Sequence, residues 1–462
     1  MRPSVSVRGS SKAPPLAAAF HDRRRKTETA YTVACRPITL FSQPFRLYET
    51  GTTTQLAQSM PADNSAVIYR PSILLLVVII ATSLLAISIY IPSMPAIAVD
   101  LGTSMGSVQL TMTLYLIGFA FSQLFFGPVS DKYGRRPALL GALLIFFLSS
   151  IACTLAPTIE FLIVARIFQA FGACAGVVLT RAIVRDVYNR TESARVMAYL
   201  GMAMGLAPAL APVLGGQLHI IFGWRANFAF MAIACAVAFI AAWARLRETH
   251  NQRGAAVTSL YGMLNGYVRL LRSPTYLAYS LNASFLTAGF FAFFSSAPIV
   301  IIQIMELSPD KLGFFTLFMP AGFITGNFIV SRLTNRVSLD RLIVTGNLIA
   351  VAAMATMVGI ALTGHIGVAA IVGPVYFLGL ANGFALPNNL AGAVSVDPSI
   401  AGTASALLGF MQMLMAAVAT IAVGFLTHES QLTMAAIMLV SAVGSFASRL
   451  FMRLDRARVV DA

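Results

Sequence analysis

Arg166 is the residue whose type and position most demand an explanation. It stands inside the apolar run 161–181 and is followed by Gln169 and Gly172. An arginine at the centre of a bilayer-crossing helix costs on the order of 2.5–3.5 kcal/mol by insertion scales, so it must face a partner or a wet cavity. In such a place a guanidinium can hold a polar or anionic group or take part in a proton path. The plainer reading is a structural arginine that hydrogen-bonds its neighbours. Bond-making catalysis has little to work with here. The five histidines (His21, His219, His250, His365 and His428) are scattered. The four cysteines, Cys35, Cys153, Cys174 and Cys235, form no C-x-x-C pair and keep no metal-ligand spacing; three lie in apolar runs and read as small packing residues. No G-x-x-x-x-G-K-[ST] loop is present, which argues against ATP-driven chemistry. Neither a metal nor an organic cofactor is expected, and the chain does not read as an enzyme.

Two glycine-bearing stretches come next. Gly127-Pro-Val-Ser-Asp131-Lys132-Tyr-Gly134-Arg135-Arg136 follows an apolar run. Gly127 suits a close helix approach, Gly134 a tight turn, and Asp131 can pair with a basic side chain or cap a helix. A topology signal alone explains Arg135 and Arg136 but not the glycines with Asp131. The second stretch carries Gly201, Gly205, Pro208, Pro212, Gly215 and Gly216. Gly201 and Gly205, four apart, share a helix face, and each proline removes a backbone donor and bends the helix. Ordinary small-residue packing is the competing reading.

The elements that position these residues are membrane-crossing helices. The 462 residues are 58% hydrophobic and only 11% charged, where soluble proteins carry roughly 25% charged residues. Apolar runs of about 20 residues or more, each long enough to cross a bilayer, recur near 72–96, 106–128, 137–156, 161–181, 197–221, 225–245, 276–302, 312–332, 342–363, 367–389, 402–426 and 432–452. The expected fold is therefore all-α, with twelve transmembrane helices in two six-helix halves. The net charge of +15 is spread over short breaks on alternate sides of these runs, with Arg225 and Lys311 as exceptions. That pattern is the positive-inside rule and places both termini in the cytoplasm. It excludes the single basic face of a nucleic-acid binder. The expected organisation is an N-terminal extension 1–66, a first half 67–245, a linker 246–275, a second half 276–453 and a tail 454–462. The extension is polar and carries a basic run from Arg23 to Lys26. It reads as a disordered cytoplasmic tail, an Arg-rich targeting segment, or residues ahead of a true start at Met60. The linker segment 259–272 repeats apolar residues at helical spacing and is expected to be an amphipathic interfacial helix.

The loop 127–136 resembles the G-x-x-x-D-[RK]-x-G-[RK]-[RK] signature of the major facilitator superfamily. Arg166, Gln169 and Gly172 resemble that family's R-x-x-q-G-x-G pattern, with Ala170 where glycine is usual. The stretch 201–216 is similar to its antiporter motif G-x-x-x-G-P-x-x-G-G. Tyr90-Ile-Pro92-Ser-Met-Pro95, Phe222-Gly-Trp224-Arg225 and Ala401-Gly402-Thr403-Ala404-Ser405-Ala406 narrow the likeness to the Bcr/CflA drug exporters over residues 67–453. The resemblance implies a proton-coupled exporter of small molecules in a bacterial inner membrane, working as a monomer. It implies that Gly127, Asp131, Lys132, Gly134, Arg135 and Arg136 latch the two halves on the cytoplasmic side.

One departure bears on the proton. The family usually carries an acid two positions before Tyr90, and here Ser88 stands there. No Asp or Glu lies in the middle of a run; Asp100, Asp131, Glu160, Glu306 and Asp310 sit at ends or in breaks. A serine does not titrate in the physiological range. Either a boundary carboxylate such as Asp131 carries the proton, or coupling is altered or absent. Candidates for the substrate and proton path are Ser88, Tyr90, Gln123, Arg166 and Gln169, with Asn282, Phe291, Asn327, Asn382 and Gln412 in the second half. Packing and interhelical hydrogen bonds compete for each. The expected partners are a lipophilic small molecule, protons and the bilayer, with neutral or anionic compounds preferred over dicationic ones. The rival reading is a metabolite facilitator or symporter.

Overall fold

The protein is represented by a computed structural model that describes residues 70–249, 260–334, 336–364, 367–426 and 431–449. The expected extension 1–66 and tail 454–462 lie outside the described residues. Among those described, all regular structure is helical.

Each apolar run becomes a helix whose ends are set by readable signals. The first run forms α1 (Ile73–Ser88), then a 3-10 turn (Ile91–Ser93) at Pro92 and the short α2 (Met94–Asp100) with Pro95 in its first turn. Proline is tolerated there because the first-turn N–H groups have no intrahelical acceptor. α3 (Met105–Tyr133), α4 (Arg135–Thr154), α5 (Ile159–Val187), α6 (Arg190–Phe222) and α7 (Arg225–Arg245) complete the first group. The N-termini of α3, α5 and α6 are capped by Ser104, Thr158 and Asn189, whose side chains accept from the backbone N–H three residues on. A single residue, Gly134, joins α3 to α4 at φ +102°, a conformation that side chains disfavour.

The linker carries α8 (Leu260–Leu271), as its pattern predicts. α9 (Pro274–Ala297) opens on the Ser273 cap and unwinds at Pro298 into a π turn (Pro298–Ile304). α10 (Pro309–Thr316) and α11 (Phe318–Leu333) together make one crossing, followed by α12 (Leu339–Leu362), α13 (Val368–Ser395), α14 (Ala401–Leu426) and α15 (Gln431–Ala447). Among the described residues, eleven segments are long and apolar enough to cross a membrane. The twelfth expected run, 432–452, appears as the 17-residue α15 between undescribed residues. Its length is about 26 Å at 1.5 Å per residue, short of a core roughly 30 Å thick.

The helices before the linker pack on one another: α1 on α5, α6 and α7, and α4 on α5 and α7. Those after it do likewise, with α9 on α13, α14 and α15, and α12 on α13 and α15. The two groups meet along α3 and α14 and where α6 meets α10. Leucine, isoleucine, valine and phenylalanine side chains cover the outer surface, among them Leu148, Ile233, Val237, Ile240 and Phe425. Lipid is the solvent that suits such a surface.

The basic breaks collect at one end of the bundle. There Arg135 reaches Asp186 at the end of α5, and Arg449 pairs with Asp340 at the start of α12 at 3.0 Å. Arg225, an exception to the charge asymmetry, lies at the opposite end and is paired with Asp100 at 2.6 Å.

Candidate functional site

α5 places Arg166 in the core of the first group with no exposed surface. Nη1 donates to the Ala86 carbonyl of α1 at 2.9 Å and to Gln169 Oε1 at 2.6 Å. Gln169, one turn along the same face, donates to Ser150 Oγ of α4 at 2.8 Å. The guanidinium carbon lies 4.0 Å from the Tyr115 ring centroid, 4.4 Å from that of Tyr90 and 5.8 Å from that of Phe228. Tyr90 shares a 2.8 Å hydrogen bond with Thr111 Oγ1. Five helices, α1, α3, α4, α5 and α7, therefore converge around one cation. Its neighbours are neutral oxygens and aromatic faces, which stabilise a guanidinium by about 0.5–2 kcal/mol each. Among the described residues no carboxylate pairs with it, and Nε and Nη2 have no protein partner. Ser88 Oγ and the Tyr115 hydroxyl are also buried without partners.

The other path candidates are placed apart from this centre. Gln123 of α3 projects against Gly409 of α14, where a Cβ would collide with its side-chain oxygen. Gln412 of α14 donates to Thr287 Oγ1 of α9 at 3.0 Å. Asn282 belongs to a second buried polar cluster: its Nδ2 donates to the Ser445 carbonyl at 2.6 Å, and its Oδ1 accepts from Asn389 at 2.7 Å. Asn347 joins this cluster by accepting from Ser445 Oγ at 3.4 Å. Asn327 donates back to the Phe323 carbonyl of its own helix at 3.1 Å. Asn382 is buried with Oδ1 unpartnered, and Phe291 is buried with its ring 5.2 Å from that of Phe290. Asn347, Asn389, Tyr115 and Phe228 are not among the expected residues. A lone asparagine or aromatic in an apolar run carries no signal of which neighbour it will meet.

The loop between α3 and α4 forms a compact charge cluster. Arg135 donates through Nη1 to Ser130 and Asp131, and through Nε to Asp186 at 2.7 Å. Glu248 accepts from the backbone N–H groups of Arg135 at 2.9 Å and Arg136 at 3.3 Å, so an acid caps the start of α4. Arg136 returns the favour at the end of α7, donating to the carbonyls of Leu246 at 2.7 Å and Trp243 at 3.0 Å. Lys132 is exposed over the Tyr133 ring. Every hydrogen-bonded partner described for this cluster lies in the first group of helices. Asp186 and Glu248 were not foreseen; each stands among arginines at the end of an apolar run, which was the available signal.

Gly127 does not mark a close helix approach, because a Cβ there would meet nothing within 4 Å, and the space around Gly201 is equally open. The tight approaches lie further along α6. At Gly215 a Cβ would overlap the Ile89 carbonyl, and at Gly216 it would stand 2.8 Å from the Pro309 carbonyl oxygen. Gly205 sits 3.9 Å by the same measure from Phe323 of α11. α6 runs unbroken as a helix through Pro208 and Pro212.

Between described residues, hydrogen bonds across the two groups run from Gln109 to the Ser295 carbonyl at 3.1 Å and between Thr113 and Thr420 at 2.8 Å. Both lie toward the end opposite the basic one. The α6–α10 glycine contacts lie there too. Toward the basic end α14 meets α3 where Gln123 projects against Gly409, and at its start a Cβ on Gly402 would stand 3.7 Å from the Arg185 guanidinium of α5.

A family model described as Major Facilitator Superfamily matches residues 76–420. The MFS-type transporter YdgK of Bacillus subtilis is 34% identical over 81% of this chain and 93% of its own length. Multidrug resistance protein D of Escherichia coli is 31% identical over 74% of this chain and 85% of its own. The bicyclomycin resistance protein homolog of Haemophilus influenzae is 29% identical over 72% and 83%. The crystal structure of a bacterial homolog of the human lysosomal transporter Spinster superposes with a TM-score of 0.62, covering 83% of this chain and 94% of that one at 13% identity.

Proposed function

Because this chain belongs to the major facilitator superfamily, as a transporter of the Bcr/CflA type, we propose that it exports small lipophilic compounds, antibiotics among them, across a bacterial inner membrane by proton antiport. The observation that carries the reading is Arg166: a buried, unneutralised cation where α1, α3, α4, α5 and α7 converge. The proposed topology has twelve spans in two six-helix halves, 67–245 and 276–453, both termini in the cytoplasm and one chain as the working unit. The basic end is then the cytoplasmic one. The halves rock about the central site and expose it to either side in turn. Substrate and proton drive the cycle through different affinities for the two states.

A second reading, a facilitator or symporter with other or no proton coupling, is favoured by the carboxylates. All ten described ones lie at helix ends or in breaks, and Ser88 offers no proton site. The discriminating experiment uses everted membrane vesicles with a pH-sensitive dye and a panel that includes chloramphenicol and bicyclomycin. A compound that collapses the gradient only when the protein is present supports antiport. Compound flux with an unchanged gradient replaces antiport with the second reading.

A further inference from the structure

The linker helix α8 carries three faces, where an ordinary amphipathic helix has two. At 100° per residue, Gly266, Tyr267 and Leu270 fall on one side, Leu264, Val268 and Leu271 on the next, and Asn265, Arg269 and Arg272 on the third. The first side is packed: Leu270 and Gly266 are buried, and a Cβ on Gly266 would stand 3.5 Å from Thr403 of α14. The second side is apolar and uncovered, with Leu264 53%, Val268 44% and Leu271 43% exposed. The third is polar and exposed, with Arg269 reaching Asp397 at 2.8 Å while its side chain stays 68% exposed. No described carboxylate pairs with Arg272. After only two intervening residues, Pro274 starts a membrane-crossing segment. The helix is thereby held at the level where the bilayer begins.

We propose that the Leu264–Val268–Leu271 face and the adjoining Arg269 and Arg272 form a binding surface for anionic phospholipid. The stripe enters the acyl boundary and the two guanidiniums meet headgroup phosphates. The order of the faces (protein, then hydrocarbon, then charge) matches a helix lying at the rim of a bundle, and both cations are of the sign that an anionic headgroup requires. Arg269 then joins the lipid to Asp397 and through it to the start of α14, the helix that meets α3 across the molecule. The inference concerns a site separate from Arg166 and does not rest on the export reading.

The test uses the full-length protein in nanodiscs of phosphatidylcholine with or without phosphatidylglycerol. Spin labels at Leu264→Cys and Val268→Cys should be accessible to oxygen and shielded from a water-soluble nickel relaxant, and a label at Asn265→Cys should show the reverse. Native mass spectrometry should find phosphatidylglycerol retained over phosphatidylcholine. Arg272→Gln, which breaks no ion pair, should weaken that retention on the order of fivefold. Water-like accessibility at 264 and 268 would give the stripe to a soluble partner and overturn the proposal. Equal retention of the two lipids, or retention unchanged in Arg272→Gln, would also overturn it.

Discussion

Arg166 is held by geometry that a lysine does not reproduce. Its planar group donates to Ala86 and Gln169 from one nitrogen while lying close to the rings of Tyr90 and Tyr115. A lysine is a point charge on a flexible stem and supplies no such plane. Arg166→Lys and Arg166→Gln should therefore both reduce export at least tenfold, the cost of about 1.4 kcal/mol in the step they impair, while remaining folded by size-exclusion chromatography. The unneutralised charge also bears on selectivity. Wild-type protein should protect cells against neutral or anionic compounds better than against a dicationic dye, and Arg166→Gln should narrow that gap. Equal resistance to both classes in the wild type would remove the electrostatic argument. That Arg166 must find buried partners was legible in the sequence, because a charge inside an apolar run is expensive wherever it points. Its aromatic surroundings were not legible, because ring contacts among α1, α3, α5 and α7 depend on helix rotation, which a near-uniformly apolar sequence does not encode. For the same reason the sequence does not show that Asn282 bonds to Asn389 and Ser445 in its own group of helices.

The elements were read most reliably where polar breaks are sharp. Eleven of the expected runs correspond to described helical segments of crossing length, the run 432–452 to the shorter α15, and α3 and α5 extend beyond their runs because polar residues near their basic ends continue the helix. Gly134 shows what a single joint contributes. With φ at +102° it links α3 to α4 with no other connecting residue. Gly134→Ala should cost roughly 1–3 kcal/mol of backbone strain, lower the detergent melting temperature and impair export, whereas Gly127→Ala, with open space around it, should be near neutral in the same melt. A second element-scale prediction concerns α8. The Ser399 hydroxyl, and then the charge of Arg269, hold the Asp397 carboxyl below its ordinary value of 3.8. A lowered carboxyl pKa contributes stability that is fully present above the ordinary value and lost as pH falls through the lowered one. The Arg269–Asp397 tether should thus persist at neutral and mildly acidic pH. Asp397→Asn should loosen a spin label on α8 at pH 7, where acidification of the wild type to pH 5 should not.

For the whole molecule, the decisive asymmetry is where the two groups of helices touch. Backbone meets backbone at Gly216 and Gly313, where α6 and α10 come together, and a Cβ on Gly313 would stand 2.8 Å from the Pro212 carbonyl oxygen. Only residues without side chains allow that closure, so the end opposite the basic one is shut by glycines. Toward the basic end the described hydrogen bonds across the groups cease after Thr113 and Thr420. Alternating access requires a second arrangement in which the glycine contacts part and the basic ends approach. A leucine at Gly216 or Gly313 cannot be housed in the first arrangement, and a local shift would have to move the backbone of a packed helix. Gly313→Leu should therefore shift the population toward the second arrangement. Spin labels at the exposed Arg195 at the start of α6 and Ser331 near the end of α11 report the separation of the basic ends. In the wild type their distance distribution should be dominated by a long component. Gly313→Leu should transfer amplitude to a shorter one, and a transported compound should change the ratio in the wild type but far less in the variant. A ligand moves such an equilibrium only by its differential affinity. A variant locked by sterics beyond that range should still bind substrate and yet fail to complete a cycle. A distribution identical in wild type and Gly313→Leu would mean that the glycine contacts do not gate the opposite end.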